Sequence, residues 1–214
     1  MKIWCREVGS LLTNSYLLAY GKEAIIIDAP ELPEEVIELI DVEKLRLTAI
    51  LLTHGHFDHV LGVGHLQHVY PTVPSFIDPK DSFLIERAVS SARHFLGHMP
   101  VSLPITAVYD IHSWKYGRGF VELISLPGHT PGSVGYYFPR ENIVFSGDLF
   151  GRRTIGTYTH SYSSKKDMAT SLRRILTLPG DCIVYPGHGT STTIEDERIF
   201  LTERMHYLES SAHA

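Results

Sequence analysis

The feature that most constrains this chain is the heptapeptide Thr53-His54-Gly55-His56-Phe57-Asp58-His59, which directly follows the apolar run at residues 48–52. Its three imidazoles and one carboxylate favour zinc or a similar first-row divalent ion, and ligands that are only nitrogen and oxygen suit a catalytic site. His54 and His56 lie two positions apart and can share one side of an extended segment, whereas Asp58 and His59 follow the turn. One segment could therefore serve two neighbouring ions. The alternative is a histidine-rich loop that binds no metal.

Three later segments have a common form, in which an apolar strand stops at a glycine and immediately presents a histidine or an aspartate. They are residues 126–133, 145–150 and 185–189, and they present His129, Asp148 and His188. Glycine lets the backbone turn sharply and approach another group closely, as a ligand loop at the edge of a sheet requires. With the heptapeptide, these turns supply five histidines and two aspartates, which are enough ligands for two ions.

Composition narrows the class of protein. The chain has 214 residues, 43% of them apolar and 20% charged, as in a soluble globular protein. A formal net charge of −5 gives no basic surface for nucleic acid. No apolar run is long enough for a membrane span, and the N-terminus lacks the apolar segment of a signal peptide. We therefore expect a cytoplasmic protein that acts on a small-molecule substrate and interacts with neither nucleic acid nor membrane; the oligomeric state is left open.

Hydrophobic periodicity predicts strands alternating with helices. The predicted strands are 2–8, 15–20, 24–27, 48–53, 75–77, 105–109, 120–126, 133–138, 142–145 and 182–185. The predicted helices are 33–45, 80–96, 163–178 and a final helix that begins with a capping box from Thr192 to Glu195. Without a linker or an internal repeat, this order indicates one domain over residues 1–214, built from two sheets with helices packed outside them.

The ordered set of His54, His56, Asp58, His59, His129, Asp148 and His188 resembles the metallo-β-lactamase superfamily, and residues 127–133 with 146–150 look like its glyoxalase II type. The resemblance runs over nearly the whole chain, from Asp28 to His188. It implies an α/β fold in which an αββα sandwich carries the metals at one edge of its two sheets.

The resemblance also implies the role of each ligand. His54, His56 and His129 hold one metal, Asp58, His59 and His188 hold the second, and Asp148 bridges the two. The bridging residue is Asp rather than the Cys of several true β-lactamases, which disfavours antibiotic hydrolysis. Asp28 matches a family aspartate that orients the ligand loop from below; the alternative is an aspartate that only caps a strand turn. The implied cofactors are two divalent ions, zinc first, with iron or manganese as alternatives.

The chemistry that follows is two-metal hydrolysis of a thioester by a metal-bound hydroxide, with Asp58 holding or receiving the proton of the nucleophile. Related lactones and other small esters are alternative substrates. A different reaction class is that of the superfamily's persulfide dioxygenases, which use one iron, although a complete second ligand set argues against it. A non-catalytic binding module is a third hypothesis. A serine hydrolase is disfavoured because the chain has no Gly-x-Ser-x-Gly elbow.

The substrate pocket is less defined. Only enough residues for one helix follow His188, so the chain should lack the helical C-terminal domain with which glyoxalase II recognises glutathione. The segment that follows Asp148 contains four candidate substrate contacts, with solvated surface as the alternative for each: Arg152, Tyr158, Tyr162 and Lys165. Residues 80–100 could form a lid over the site.

Overall fold

The computed structural model describes residues 1–105, 109–110, 114–116 and 119–210. The chain divides into two compact units, Met1–Ile111 and His112–Ala214. A single domain over residues 1–214 stays a prediction, because compact units can also be parts of one cooperatively folding domain.

The first unit carries one six-stranded sheet. Its strands are β1 (Lys2–Val8), β2 (Thr13–Tyr20), β3 (Glu23–Ile27), β4 (Arg46–Leu51), β5 (Ser75–Ile77) and β6 (Tyr109–Asp110), paired in that order. Its helices are α1 (Glu34–Val42), α2 (Phe57–Val60), α3 (Val63–Val69) and α4 (Ser82–Leu96), the last preceded by a 3-10 turn at Pro79–Asp81. Strands β1 to β3 are antiparallel and β3 to β6 are parallel. The strand predicted at 105–109 is described only in part, since residues 106–108 lie outside the described ranges.

The parallel strands β3 and β4 explain where the heptapeptide lies. Both strands are apolar and almost fully buried, and Ile27 pairs with Leu51. Parallel neighbours end at the same edge of a sheet, which is where ligands bind in such folds. Asp28 therefore follows β3 directly beside the start of the loop that follows β4, and the Asp28 amide donates to the Leu51 carbonyl at 3.0 Å.

Helices α1 and α4 confirm the predicted amphipathic segments. Val36 and Ile40 of α1 and Ala88 and Ala92 of α4 are buried in the core of the unit. The α1 helix ends three residues before the predicted limit of 45. Lys44 takes a left-handed backbone conformation with φ of 53°, which an α-helix cannot continue through.

The second unit carries another six-stranded sheet and a separate hairpin. Its strands are β7 (Trp114–Tyr116), β8 (Gly119–Ser125), β9 (Val134–Phe138), β10 (Ile143–Gly147), β11 (Phe150–Gly151), β12 (Thr154–Ile155), β13 (Ile183–Pro186) and β14 (Thr192–Thr193). The sheet order is β14-β13-β10-β9-β8-β7, and β11 pairs with β12 alone. Only β10 and β13 are parallel within this sheet.

Two helices cover this sheet, α5 (Lys165–Ile175) and α6 (Ile194–Ser210). Leu201, Met205 and Leu208 form a buried stripe along α6. The predicted capping residue was wrong by one position. The hydroxyl of Thr193 accepts from the Asp196 amide at 3.1 Å, whereas the Thr192 hydroxyl donates to Glu197 at 2.8 Å. In the part of the chain that is described, no helix has the length and apolar character to cross a bilayer.

Candidate metal centre

Asp28 holds the two ends of the heptapeptide together in the first unit. Its Oδ1 accepts from the Thr53 amide at 2.7 Å, and its Oδ2 accepts from the Thr53 hydroxyl at 2.7 Å. The same Oδ2 lies 2.8 Å from Nδ1 of His59. Asp28, Thr53 and His59 are each at most 1% exposed. The carboxylate therefore does more than cap a strand turn, since it fixes both the start of the loop and the ring of its last histidine.

These contacts set the tautomers of two histidines. A carboxylate can only accept, so Nδ1 of His59 donates to Asp28 and Nε2 carries the lone pair of the neutral ring. The Thr53 hydroxyl gives its proton to Asp28 and so accepts from Nδ1 of His54 at 3.1 Å. Nε2 of His54 then carries the lone pair as well. Histidine ligands in metal sites are oriented by this kind of hydrogen bond from the other ring nitrogen.

Nε2 of His54 lies 3.0 Å from Nδ1 of His56, which is two positions further along the segment. Two nitrogen ligands of one tetrahedral zinc ion, each at about 2.0 Å, are separated by about 3.3 Å. The observed distance is close to that value. The pair therefore fits two ligands of one ion, as the alternation in the sequence predicted.

Asp58 lies in the first turn of α2 and accepts a hydrogen bond from a residue of β2. The hydroxyl of Thr13 donates to Asp58 Oδ2 at 2.9 Å, and the same oxygen lies 3.4 Å from Nε2 of His59. In the neutral ring, Nε2 and the carboxylate oxygen are both acceptors, and such a pair suits a cation bound between them. The Asp58 side chain is 14% exposed, in contrast to the fully buried His59. It can reach a ligand while His59 stays fixed.

Asp81 is a further buried carboxylate that the sequence reasoning missed. Its Oδ2 accepts from the Gly55 amide at 2.9 Å, in the middle of the heptapeptide. A Cβ at Gly55 would lie 2.8 Å from Leu84 Cβ and 2.9 Å from the Asp81 carbonyl oxygen, so only glycine allows this approach. Asp81 precedes α4 in an ordinary polar turn, and neither its spacing nor its neighbours distinguish it in the sequence. Thr13, at the start of β2, is likewise not distinguished in the sequence by its spacing or its neighbours.

In the second unit, the hairpin of β11 and β12 fixes His129 and Asp148. Nδ1 of His129 lies 2.7 Å from the Thr157 carbonyl oxygen, which can only accept, so Nε2 again carries the lone pair. A Cβ at Gly156 would lie 1.8 Å from the Asp148 carbonyl oxygen and 3.2 Å from Nδ1 of His129. The residues directly after β12 therefore pack against Asp148 and His129, and glycine at position 156 makes that close approach possible.

Asp148 lies between two histidines of its unit. Its Oδ2 is 3.5 Å from Nε2 of His129 and 3.6 Å from Nε2 of His188. All three residues line a cavity of about 210 Å³, together with Ile155 and Gly156. One carboxylate facing two imidazole nitrogens has the donor chemistry of a bridging ligand. The cavity has room for a small substrate.

The four candidate substrate contacts have different neighbours. The Lys165 ammonium is 5.9 Å from the centroid of the Tyr158 ring, and the Tyr162 ring stacks on that of His160 at 5.3 Å. Arg152 lines another cavity, whose lining residues include neither Asp148 nor His188. Partial burial, and then the nearby His129, lower the pKa of His160 below its ordinary value.

The donor set of each unit fits a divalent metal. In the first unit, ligand atoms of His54 and His56, of His54 and His59, and of Asp58 and His59 lie within 4.8 Å of each other. In the second unit, Asp148 lies beside His129 and His188. The ligand types are imidazole and carboxylate only, which suits zinc and iron(II) in sites with open coordination positions.

Comparison with known proteins agrees with this chemistry. The sequence matches the model of the metallo-beta-lactamase superfamily over residues 8–188. Hydroxyacylglutathione hydrolase GloC of Haemophilus influenzae is 31% identical over 186 residues, which are 83% of this chain and 85% of that protein. The structure of TTHA1623 in a di-iron-bound form is 36% identical with a TM-score of 0.83, and the match covers 91% of this chain and 96% of that one.

Two further structures bear on the fold and on the alternatives. The BLEG-1 B3 metallo-beta-lactamase is 32% identical with a TM-score of 0.86, over 94% of this chain and 100% of that one. ETHE1 from Myxococcus xanthus is 22% identical with a TM-score of 0.76, over 98% of this chain and 90% of that one, which shows the fold alone. Together these likenesses confirm the predicted fold class, the αββα sandwich.

Proposed function

The chain belongs to the metallo-beta-lactamase superfamily, and on that premise we propose that it is a metal-dependent hydrolase that cleaves small thioesters. The observation that carries the proposal is the fixed tautomer of His54, His59 and His129. In each ring Nδ1 donates a hydrogen bond to a protein acceptor, so the lone pair is on Nε2, on the other side of the ring. Lone pairs held in place by hydrogen bonds at the opposite nitrogen are what a metal site requires.

We propose that the chain binds two divalent ions. His54, His56 and His129 would hold one ion, Asp58, His59 and His188 would hold the other, and Asp148 would be a ligand shared by both. Zinc is the first expectation, and iron is supported by the similar TTHA1623, whose structure is described as di-iron-bound. Thioester as the substrate class is supported by the similar GloC, which is named a hydroxyacylglutathione hydrolase.

Divalent ions held by these residues would supply a water molecule whose pKa is lowered to about 7 and would polarise the thioester carbonyl. Asp58 accepts the proton of the attacking water, since its carboxylate is partly open and Thr13 fixes one of its oxygens. The proton then passes to the sulfur of the leaving group as the carbon–sulfur bond breaks. One water and one thioester therefore give a carboxylic acid and a thiol.

The experiment combines metal analysis with a substrate screen. We expect the purified chain, loaded with zinc or iron and desalted, to retain about two metal equivalents and to hydrolyse S-lactoylglutathione or simple acyl thioesters. Lactones, phosphoesters and β-lactams complete the screen, with EDTA-treated protein as the control. The β-lactam arm is needed because a similar structure is named as a metallo-beta-lactamase.

Two results would contradict the proposal. A single tightly held iron, with oxygen consumption on a persulfide substrate, would identify a dioxygenase. The complete ligand set for a second metal disfavours that class. Turnover of β-lactams or lactones without any thioester activity would keep the metal-dependent hydrolase and replace its substrate.

Thr13 provides a finer test of how Asp58 is positioned. Replacing Thr13 with valine removes the hydroxyl that donates to Asp58 Oδ2 and keeps the shape of the side chain. A hydrogen bond to a charged group contributes about 1.5–3 kcal/mol, so we expect kcat to fall about 10- to 100-fold with little change in KM. Thr13→Ser should restore most of the rate, because serine keeps the donor.

Thr48→Val is the matched control, because the Thr48 hydroxyl donates to the Ala24 carbonyl oxygen at 2.9 Å, within the sheet. That variant should leave kcat unchanged. If Thr13→Val and Thr13→Ser were equally slow, the hydroxyl would not be the group that matters.

A further inference from the structure

The turn between β1 and β2 exposes two consecutive leucines. Leu11 is 45% exposed and Leu12 is 61% exposed. Leu12 also takes a left-handed backbone conformation with φ of 53°, which a residue with a branched side chain rarely adopts. A polar residue or glycine would be the ordinary choice at an exposed turn of this kind. The exposed leucines therefore need an explanation other than folding.

The C-terminal end of α4 exposes a third large apolar side chain. Phe95 is 66% exposed, and its ring stacks on that of Phe57 with centroids 5.8 Å apart. Phe57 is the residue immediately before Asp58 and opens α2. An exposed aromatic ring is thereby attached to the helix that carries the proposed catalytic carboxylate.

A narrow cleft joins these features to Asp58. Its lining includes Leu11, Phe57, Leu61 and Leu96, and Asp58 itself. Its enclosed volume is about 10 Å³, enough for about one water-sized group. A ligand could therefore insert only a small end into the cleft, and the rest of it would lie on Leu11, Leu12 and Phe95. Leu11 lines the cleft, whereas Leu12 and Phe95 each stand next in sequence to a lining residue, and the Phe95 ring stacks on the lining Phe57. We call these three exposed side chains and the cleft the apolar wall.

The charge of the cleft restricts its occupant. Among the described residues that line it, the only charged side chains are the carboxylates of Glu31 and Asp58. Glu31 is 9% exposed, and its carboxylate accepts from the Val101 amide at 2.5 Å. An anionic group, such as either carboxylate of glutathione, would be repelled here. A neutral apolar chain would be accepted.

We propose that the apolar wall binds the aliphatic acyl chain of the substrate, so that the preferred substrates are medium-chain acyl thioesters rather than thioesters of small hydroxy acids. The inference rests on the proposed function, since it assigns the acyl side of the thioester to this surface. The main support for this inference is that the cleft of the apolar wall is lined by Asp58. An acyl chain that lies on the wall therefore leads to the carboxylate that receives the proton.

The affinity of the protein for alkyl chains of different length tests the proposal without requiring turnover. Non-hydrolysable S-alkyl thioethers of N-acetylcysteamine, with butyl, hexyl and octyl chains, are titrated into metal-loaded protein by calorimetry. Each methylene that reaches the wall should tighten Kd roughly two- to fourfold. The double variant Leu11→Asn/Phe95→Ser should lose most of this gain, with octyl binding weakened at least about tenfold.

Val42→Ser is the matched control, since Val42 is 69% exposed on α1 and does not line the cleft. It should bind like the unaltered protein. Equal chain-length dependence in the double variant and the unaltered protein would overturn the proposal. So would a change of oligomeric state in the double variant without a change in alkyl binding, because the wall would then be an interface between two chains.

Hydrolysis of acetyl, hexanoyl and octanoyl thioesters separates this inference from the proposed function. If no thioester is hydrolysed but alkyl binding shows the expected dependence, the reaction is wrong and the apolar subsite stands. If thioesters are hydrolysed without dependence on chain length, the reaction stands and the apolar subsite is wrong.

Discussion

Replacing Asp58 with asparagine is expected to lower kcat for thioester hydrolysis about 10²- to 10⁴-fold, the range associated with loss of a general base. Asparagine has nearly the same shape and still accepts the hydrogen bond that the Thr13 hydroxyl donates at 2.9 Å. It carries no negative charge and cannot take a proton at neutral pH. The fold should persist, because the side chain is partly exposed and contributes little to the core.

Three measurements decide this prediction. Circular dichroism and the unfolding midpoint should match the unaltered protein, and metal analysis should show that at least one ion is retained. Asp181→Asn is the control, since Asp181 is an exposed aspartate in the turn before β13. If Asp58→Asn turned over thioester within about tenfold of the normal rate while folded and metal-loaded, Asp58 would not be the proton acceptor.

Replacing Asp28 with alanine is expected to destabilise the metal-free protein by about 3–5 kcal/mol, because it breaks a buried charged network and leaves the donors without their acceptor. Three donors depend on this carboxylate: the amide and hydroxyl of Thr53, and Nδ1 of His59. Urea unfolding in the presence of EDTA measures the loss directly and separates it from any change in metal binding.

Asp28→Asn and Asp78→Ala are the comparisons. Asparagine keeps one acceptor and tolerates the left-handed backbone of position 28, where φ is 58°, so its loss should be smaller. Asp78 accepts one exposed hydrogen bond, from the Lys80 amide, and its removal should destabilise by about 1 kcal/mol. A loss below about 1 kcal/mol for Asp28→Ala would mean that the network does not hold the loop.

Metal affinity gives a second readout for Asp28. Partners that orient ligating histidines typically change affinity 10- to 100-fold when removed. We expect Asp28→Ala to release metal to a chelator at correspondingly lower chelator concentration, and Asp28→Asn to lie between it and the unaltered protein.

The parts of the fold that the sequence predicted well are those encoded by local pattern. The strand β1 at Lys2–Val8 and the strand β5 at Ser75–Ile77 have the predicted limits, and the buried strand before the heptapeptide begins two residues early. Apolar alternation and continuous apolar runs are properties of a few neighbouring residues, so they can be read without knowing what packs against them.

The parts that were missed depend on contacts distant in sequence. The hairpin of β11 and β12 has only two residues in each strand, too few to show an alternating pattern, and Gly156 directly after it packs against His129 and Asp148. The capping residue of α6 shifted to Thr193 because Thr192 is engaged by the buried Glu197. Neither competition can be seen in a single sequence.

The candidate site divides in the same way. Its histidines and aspartates stand out because they are dense and framed by glycine, whereas the residues that orient them do not. Asp81 and Thr13 contact the heptapeptide across 26 and 45 residues of sequence. Each is a common residue type in an ordinary local setting, Asp81 directly before α4 and Thr13 at the start of β2, so only the folded chain identifies it.

The shared hydrogen bonds of Asp28 also bear on how this protein can be changed by mutation and selection. One carboxylate serves Thr53 and His59, and Thr53 in turn serves His54. Substitutions at these positions will not act independently, because each removes a partner on which the others rely. Random single-site libraries will therefore record all of them as intolerant, even where a new metal geometry is accessible. A search for altered metal preference should randomise positions 28 and 53 together, so that compensating pairs are sampled in one step.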